Sequence, residues 1–450
     1  MTPVDLAFRL GVVMNELHDA DYSDQFWARY LIPYARACVR QERYYADSQA
    51  EVPIPFLPYL GPEPCTSGVA RRTYFYELLR NSRNFLRSLS PSAVRRFETD
   101  KICFGVRANV ISEACQAEHV ILSWAPLFFR KNSNVRARLL KIADRQNDIF
   151  YSNVLKFMPS AFVEYHDSFK KKAEALLRQR LPKEIFVDHF ETHFQRFVAY
   201  LASEQGAILT KIQGGYLLED SGSIPYAKRL ERDRLFTYGW KLSAQDQPFY
   251  ALRLEEYAKT YRKACRAGKN VDVLVVYNSL DTESRKSMCI ESASMLSSYL
   301  DRQAYPRVVL RPRGISRYVS SKSNISRLGV PNNLEVDSGM SPLSRLAARS
   351  RIVLHLEHPS TNFLECIFVG QPVMVVLGDC KLGGPAKSFC QEFQKLGLWH
   401  NDFPSLLQSL NSIDLDSWWN DVVRSESLQA FRETFARSRA SFERDQKNHV

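Results

Sequence analysis

Five consecutive residues, Glu357, His358, Pro359, Ser360 and Thr361, place a carboxylate, an imidazole and two hydroxyls between an apolar run and a short helical stretch. That mixture suits anion binding and proton transfer. Glu357 or His358 can act as acid or base, and Glu357 can also accept from ribose hydroxyls. Ser360 or Thr361 can cap the following helix, whose free N–H groups and positive dipole end then point at whatever occupies the turn. Capping is the commonest work of such hydroxyls, and a capped helix still directs its donors outward. Glu365 falls in the early turns of the same helix.

The turn needs a sheet to hold it. Ile352, Val353, Leu354 and Leu356 make a nearly unbroken apolar run, and Pro372 to Leu377 makes another, as strands of a parallel sheet covered on both faces should. Upstream, VDVLVVYNS from Val271 reads as a strand, Ser284–Asp301 as an amphipathic helix, and RVVLRPRG from Arg307 as a strand ending in a basic loop. Asn333–Asp337 gives a short strand and Ser341–Ser350 a helix. This alternation predicts a Rossmann-like domain with right-handed crossovers, whose ligands lie beyond the carboxyl ends of the strands. Arg311 and Arg313 fall at that edge, where their fixed forks of N–H donors suit a phosphate, and Asp337 is a candidate hydroxyl acceptor.

The amino-terminal part is helix-rich and aromatic-rich. Helices are expected at about Asp5–His18, Ser23–Asp47, Arg72–Leu89 and Val135–Asp148, and short strands at Lys101–Val106, His119–Trp124 and Glu184–Val187. Val52–Pro64, with five prolines, must be an extended loop. The second constellation is Gln213, Gly214, Gly215 and Tyr216, where paired glycines permit either close backbone approach to a ligand or a tight turn. His189 and His193 are four apart and near Asp188 and Glu191, but Phe190 follows His189 where HExxH needs a glutamate, and no metal site is predicted. Neither a GxSxG elbow nor a Walker loop is present.

At 450 residues the chain predicts two domains of roughly 200 residues each. No apolar run approaches the ~20 residues that span a bilayer, and the amino end lacks signal-peptide features, so a cytoplasmic location is predicted. Nine cysteines without a CxxC pair read as buried free thiols rather than a disulfide framework or zinc ribbon. The formal charge of +12 suits nucleic acid, an anionic membrane face or anionic small substrates. Its lysines and arginines are scattered without interleaved aromatics, so specific nucleic-acid binding is not expected.

Three segments together carry a resemblance: IQGGY, ERDRLFTYGW at Glu231–Trp240, and DSGMSPLSRLAARSRIVLHLEHPSTNFLECIFVGQPVMVV at Asp337–Val376. They resemble a family of bacterial surface-polysaccharide transferases, similar in turn to the CDP-glycerol glycerophosphotransferases and capsular Kdo transferases. In such proteins a QHGG-x-YG segment precedes a D-x-(Y/F)-x-T-x-GW segment, and a late ST-fLE block lies in the nucleotide-binding lobe. The match covers about residues 180–380; Gln213 stands where the histidine of QHGG is expected, and Leu217 replaces the second glycine region.

The resemblance implies an α/β fold of GT-B type, with two Rossmann-like lobes, an interlobe cleft, a helix-rich acceptor-side domain at 1–240 and a nucleotide-donor domain with terminal helices at 241–450. Arg311, Glu357, His358, Ser360, Thr361 and Glu365 then fall on donor-facing elements, and Gln213, Gly214 and Gly215 on the opposing loop. The implied reaction moves a sugar or polyol phosphate from a nucleotide-activated donor to a surface-polysaccharide or lipid-linked glycan. Neither cofactor nor metal is expected, since no DxD-like pair appears where a metal-bridging transferase would need one. The expected partners are a nucleotide-sugar donor, an anionic glycan or lipid-linked acceptor, and peripherally the anionic inner face of the cytoplasmic membrane. A non-catalytic nucleotide- or glycan-binding protein and a basic nucleic-acid-associated protein are the alternatives.

Overall fold

The structure, a computed structural model, describes residues 2–20, 22–48, 97–105, 107–120, 122, 130–156, 158–159, 162–190, 192–214, 232–279, 283–313, 330–337, 342–356, 361–377 and 384–448. The helix expected at Arg72–Leu89 and the loop at Val52–Pro64 lie outside them. Among the described residues the fold is α/β, with two six-stranded sheets and flanking helices in two Rossmann-like units. By contact density the units are Met1–Ile212 with Gly222–Leu235, and Gln213–Ser221 with Phe236–Val450.

The first sheet runs β2-β1-β3-β4-β5-β6, from β1 (Lys101–Phe104), β2 (Glu118–His119), β3 (Glu184–Val187), β4 (Ile208–Ile212), β5 (Arg234–Thr237) and β6 (Asp246–Pro248). β1 pairs in parallel with β2 and β3, and β3 with β4, so that Ile102, Ile185 and Leu209 form one buried row. These strands are two to five residues long, too short to signal clearly as alternation in the sequence. Phe26, Trp27 and Tyr30, from helix Asp24–Ser48, and Phe197, from helix His193–Glu204, pack with ring centroids 5.3–6.2 Å apart among their contacts. Buried aromatic area of this kind is a main source of core stability. Asp233, the acidic residue of the ERDRLFTYGW segment, holds the fold together: its carboxylate accepts from Leu209 N at 2.8 Å and pairs with the buried Arg29 at 2.7 Å.

The second sheet runs β12-β11-β10-β7-β8-β9, from β7 (Val271–Ser279), β8 (Val308–Arg313), β9 (Glu335–Val336), β10 (Ser350–His355), β11 (Val373–Val376) and β12 (Trp399–His400), with every adjacent pair parallel. Val273, Val275, Leu310, Ile352, Leu354 and Met374 face helices Glu283–Tyr299 and Phe403–Ser412 in one core cluster. The alternate residues of the same strands are also buried, which is why these strands read as continuous apolar runs. One expectation is corrected: Arg311, Pro312 and Arg313 are not in a loop after the strand but within β8, in register with Val276, Tyr277 and Ser279 of β7. A bulge between Tyr277 and Ser279 lets the pairing run on past the apolar stretch.

Gly239 shows how tightly the TYGW segment is held. Its φ is 133°, and a Cβ there would lie 2.2 Å from the Glu433 carbonyl oxygen. Gly268 also has positive φ, at 74°, but open space around it. Gly268→Ala should cost only the backbone strain, about 1–3 kcal/mol. Gly239→Ala adds a clash with main chain that cannot swing away, so its denaturant midpoint is expected to fall well below that of Gly268→Ala; equal midpoints would contradict this packing.

Candidate functional site

In the second sheet the strand order reverses between β10 and β7: the chain builds outward through β8 and β9, then returns to the other side of β7. The carboxyl ends at such a reversal form the ligand crevice of open α/β sheets. β10 ends there at His355; residues 357–360, with Glu357, His358 and Ser360, lie outside the described residues, and helix Thr361–Val369 follows. Val375, His355, Val276 and Arg311 form one row across β11, β10, β7 and β8, so their side chains share a face of the sheet. Asp337 N bonds Leu310 O at 2.9 Å, and its carboxylate accepts from Arg311 Nη1. The two predicted phosphate-edge residues, Arg311 and Asp337, are therefore brought together as an ion pair. Arg313 lies in the same strand.

Helix Thr361–Val369 is fixed along its length and at its carboxyl end. Its buried Phe363, Leu364 and Ile367 anchor it by apolar packing. At its carboxyl end Arg432 Nε donates to Ile367 O at 3.0 Å and Trp419 Nε1 to Gly370 O at 2.9 Å, satisfying carbonyls that a helix end leaves without partners. A guanidinium there also complements the negative end of the dipole, and burial holds the Arg432 pKa below its usual value. Trp419 thus clamps the helix that starts at the candidate site.

Glu365 sits in the second turn of that helix, buried rather than turned to solvent, and accepts from Arg253 Nε at 3.2 Å. Arg253 Nη1 also donates to Gly214 O at 2.7 Å. One guanidinium therefore joins two segments singled out by sequence, the ST-fLE helix and the glycine loop. Arg253 itself was missed. The signal available was a cation in the first turn of helix Leu252–Cys265, where the positive dipole end disfavours it unless a carboxylate is near. His355, 2% exposed at the end of β10, was missed as well, hidden inside an apolar run.

Gln213 is buried, and its amide oxygen accepts from Tyr238 N at 2.9 Å and Trp240 Nε1 at 3.0 Å. Its own N–H donates to Phe236 O at 2.9 Å. The QGG and TYGW segments are thus one hydrogen-bonded unit, in which the two lone pairs of an amide oxygen match two donors. Gly215 and Tyr216 lie outside the described residues. Near His189 and His193, Asp188 turns to Arg107, 3.1 Å away.

The sequence profile of the LIC12162 family transferases matches residues 125–449. The chain belongs to the LIC12162 family of transferases. No curated protein matches this LIC12162 family chain. Among solved structures it is similar to the UDP-GlcNAc 2-epimerase from Neisseria meningitidis bound to UDP-GlcNAc, at 14% identity and TM-score 0.41, covering 76% of this chain and 95% of that one. It is similar also to Anabaena HepE in complex with UDP-glucose, at 11% identity and TM-score 0.39 over 87% and 97% of the two chains. Trehalose 6-phosphate synthase from Burkholderia multivorans is a third, at 13% identity and TM-score 0.37 over 73% and 83%. No described helix of the LIC12162 family chain is long and apolar enough to cross a membrane.

The Gln213 contacts make a graded prediction for this transferase. Gln213→Leu strands two buried donors at about 1–3 kcal/mol each, whereas in Gln213→His one ring nitrogen can accept from at most one of them. Denaturant unfolding should rank wild type above Gln213→His above Gln213→Leu. A leucine variant as stable as wild type would show that the amide holds nothing.

Proposed function

We propose that this LIC12162 family transferase is a metal-independent glycosyltransferase of GT-B type, moving a sugar or polyol phosphate from a nucleotide-activated donor to a surface-polysaccharide or lipid-linked glycan acceptor. The observation that carries the reading is the place of the Glu357–Thr361 segment in the chain, directly after β10, the strand at which the second sheet reverses its order. The Arg311–Asp337 pair at the same edge of the sheet supports it.

In this reading the amino end of helix Thr361–Val369 and Arg311 stabilise charge developing on the departing nucleotide phosphate, the main electrostatic demand of such a transfer. Asp337 orients the Arg311 fork, Ser360 and Thr361 contribute hydroxyls, and Glu365 acts from its pair with Arg253. Glu357 or His358 supplies acid or base. The acceptor side includes the Gln213–Tyr216 loop. The net positive charge favours an anionic glycan or the anionic inner leaflet, to which a cytoplasmic protein would bind peripherally.

Gln213 favours a second reading. An amide takes the place of the expected histidine and its oxygen is committed to two donors, so it supplies no base. A chain that binds the nucleotide without turning it over would follow from that loss.

Thermal unfolding with CMP, CDP, UDP and GDP tests the proposal. One nucleotide at a hundredfold excess over its Kd should stabilise the protein by about 2.7 kcal/mol, and Ser360→Ala and Arg311→Ala should abolish the gain. Stabilisation by oligonucleotides alone would overturn the donor site. Nucleotide binding with no turnover of any activated donor would select the second reading.

A further inference from the structure

The amino-terminal unit holds a cluster of chemically capable side chains that the transfer reaction leaves unused. His18 is the last residue of helix Pro3–His18, and His166 and Asp167 begin helix His166–Gln179. Asp167 Oδ1 lies 3.3 Å from His18 Nδ1 and 3.4 Å from His166 Nδ1. The two imidazoles stand with centroids 4.0 Å apart, and one ligand atom from each of the three residues falls within 4.8 Å of the others. Trp27 stacks on His166 at 5.3 Å, and Tyr22 and Phe197 meet it edge-on, so the cluster has an aromatic wall.

Burial makes this arrangement costly as it stands. The His18 side chain is 0% exposed and that of His166 1%, while Asp167 is 53% exposed. Neither nitrogen of His18 makes an aligned hydrogen bond, nor does His166 Nε2. Each buried polar group left in that condition costs about 1–3 kcal/mol. Desolvation pushes the His18 pKa down to about 3, with His166 adding to the shift and Asp167 and the Phe162 carbonyl opposing it. His166 is lowered by the same cause.

Two neutral imidazoles and a carboxylate are a ligand set that zinc takes. Zinc–nitrogen and zinc–oxygen bonds of about 2.0–2.2 Å at tetrahedral angles put neighbouring ligand atoms roughly 3.3–3.5 Å apart. The two Asp167 separations match that edge length. We propose that His18, His166 and Asp167 bind one zinc ion, with solvent as the fourth ligand on the exposed Asp167 side, crosslinking helix Pro3–His18 to helix His166–Gln179. No sequence motif announces the site, because its halves come from distant helices, and His18 lies outside the stretch that matches the transferase family. The site serves the stability of the amino-terminal unit and does not rest on the proposed donor chemistry.

The test uses the full chain, stripped with chelator, reloaded with zinc and freed of excess by gel filtration. The expected result is about one zinc per chain by mass spectrometry and a zinc-dependent rise in the thermal midpoint. Cobalt in place of zinc should give the intense visible bands of a tetrahedral ion. His18→Gln and His166→Gln should reduce the bound metal to background. Because those side chains are buried and their variants can misfold, Asp167→Asn is the deciding variant: its fold is to be checked by circular dichroism, and its zinc should be lost. Folded wild type without stoichiometric zinc, or zinc retained in a folded Asp167→Asn protein, overturns the proposal.

Discussion

The buried contact between Arg253 and Glu365 is the constraint on which the candidate site depends. A carboxylate inside a helix of mean apolar character is unfavourable unless its charge is met, and a guanidinium in the first turn of another helix is unfavourable for the opposite reason. Each offsets the other at 3.2 Å, and the same guanidinium holds the Gly214 carbonyl. Removing Arg253 would leave the buried Glu365 carboxylate without its cation, an effect of about 3–5 kcal/mol in comparable sites. Helix Thr361–Val369 is therefore positioned by electrostatics along its length and by Arg432 and Trp419 at its end.

The motif residues divide into those that hold the fold and those left for chemistry. Asp233, Gln213, Thr237, Gly239 and Trp240 satisfy one another or the neighbouring main chain. A motif of this kind can persist for structural reasons alone, and its presence says little about turnover. The Glu357–Thr361 segment is different in kind, because in the sequence its polar residues follow a buried strand at which the sheet reverses order.

Much of the second unit was legible in the sequence because its strands are buried on both faces. Val273–Tyr277, Ile352–Leu354 and Val373–Val376 are continuous apolar stretches, as strands covered on both faces should be. The first sheet was harder to read, since β1, β2 and β3 are four residues or fewer. Pairings between distant residues were not legible at all. Nothing in the local sequence joins Arg253 to Glu365, or His18 to His166, because burial and proximity arise only when helices pack. Arg311 and Asp337 were legible as polar groups at strand ends, but not as partners of each other.

Hydrogen–deuterium exchange of the full chain, with and without the nucleotide that stabilises it, measures the central claim most directly. The account predicts new protection in peptides spanning residues 356–366 and 308–313, at the carboxyl edge of the second sheet. Protection confined to the amino-terminal unit, with residues 356–366 unchanged, would contradict it.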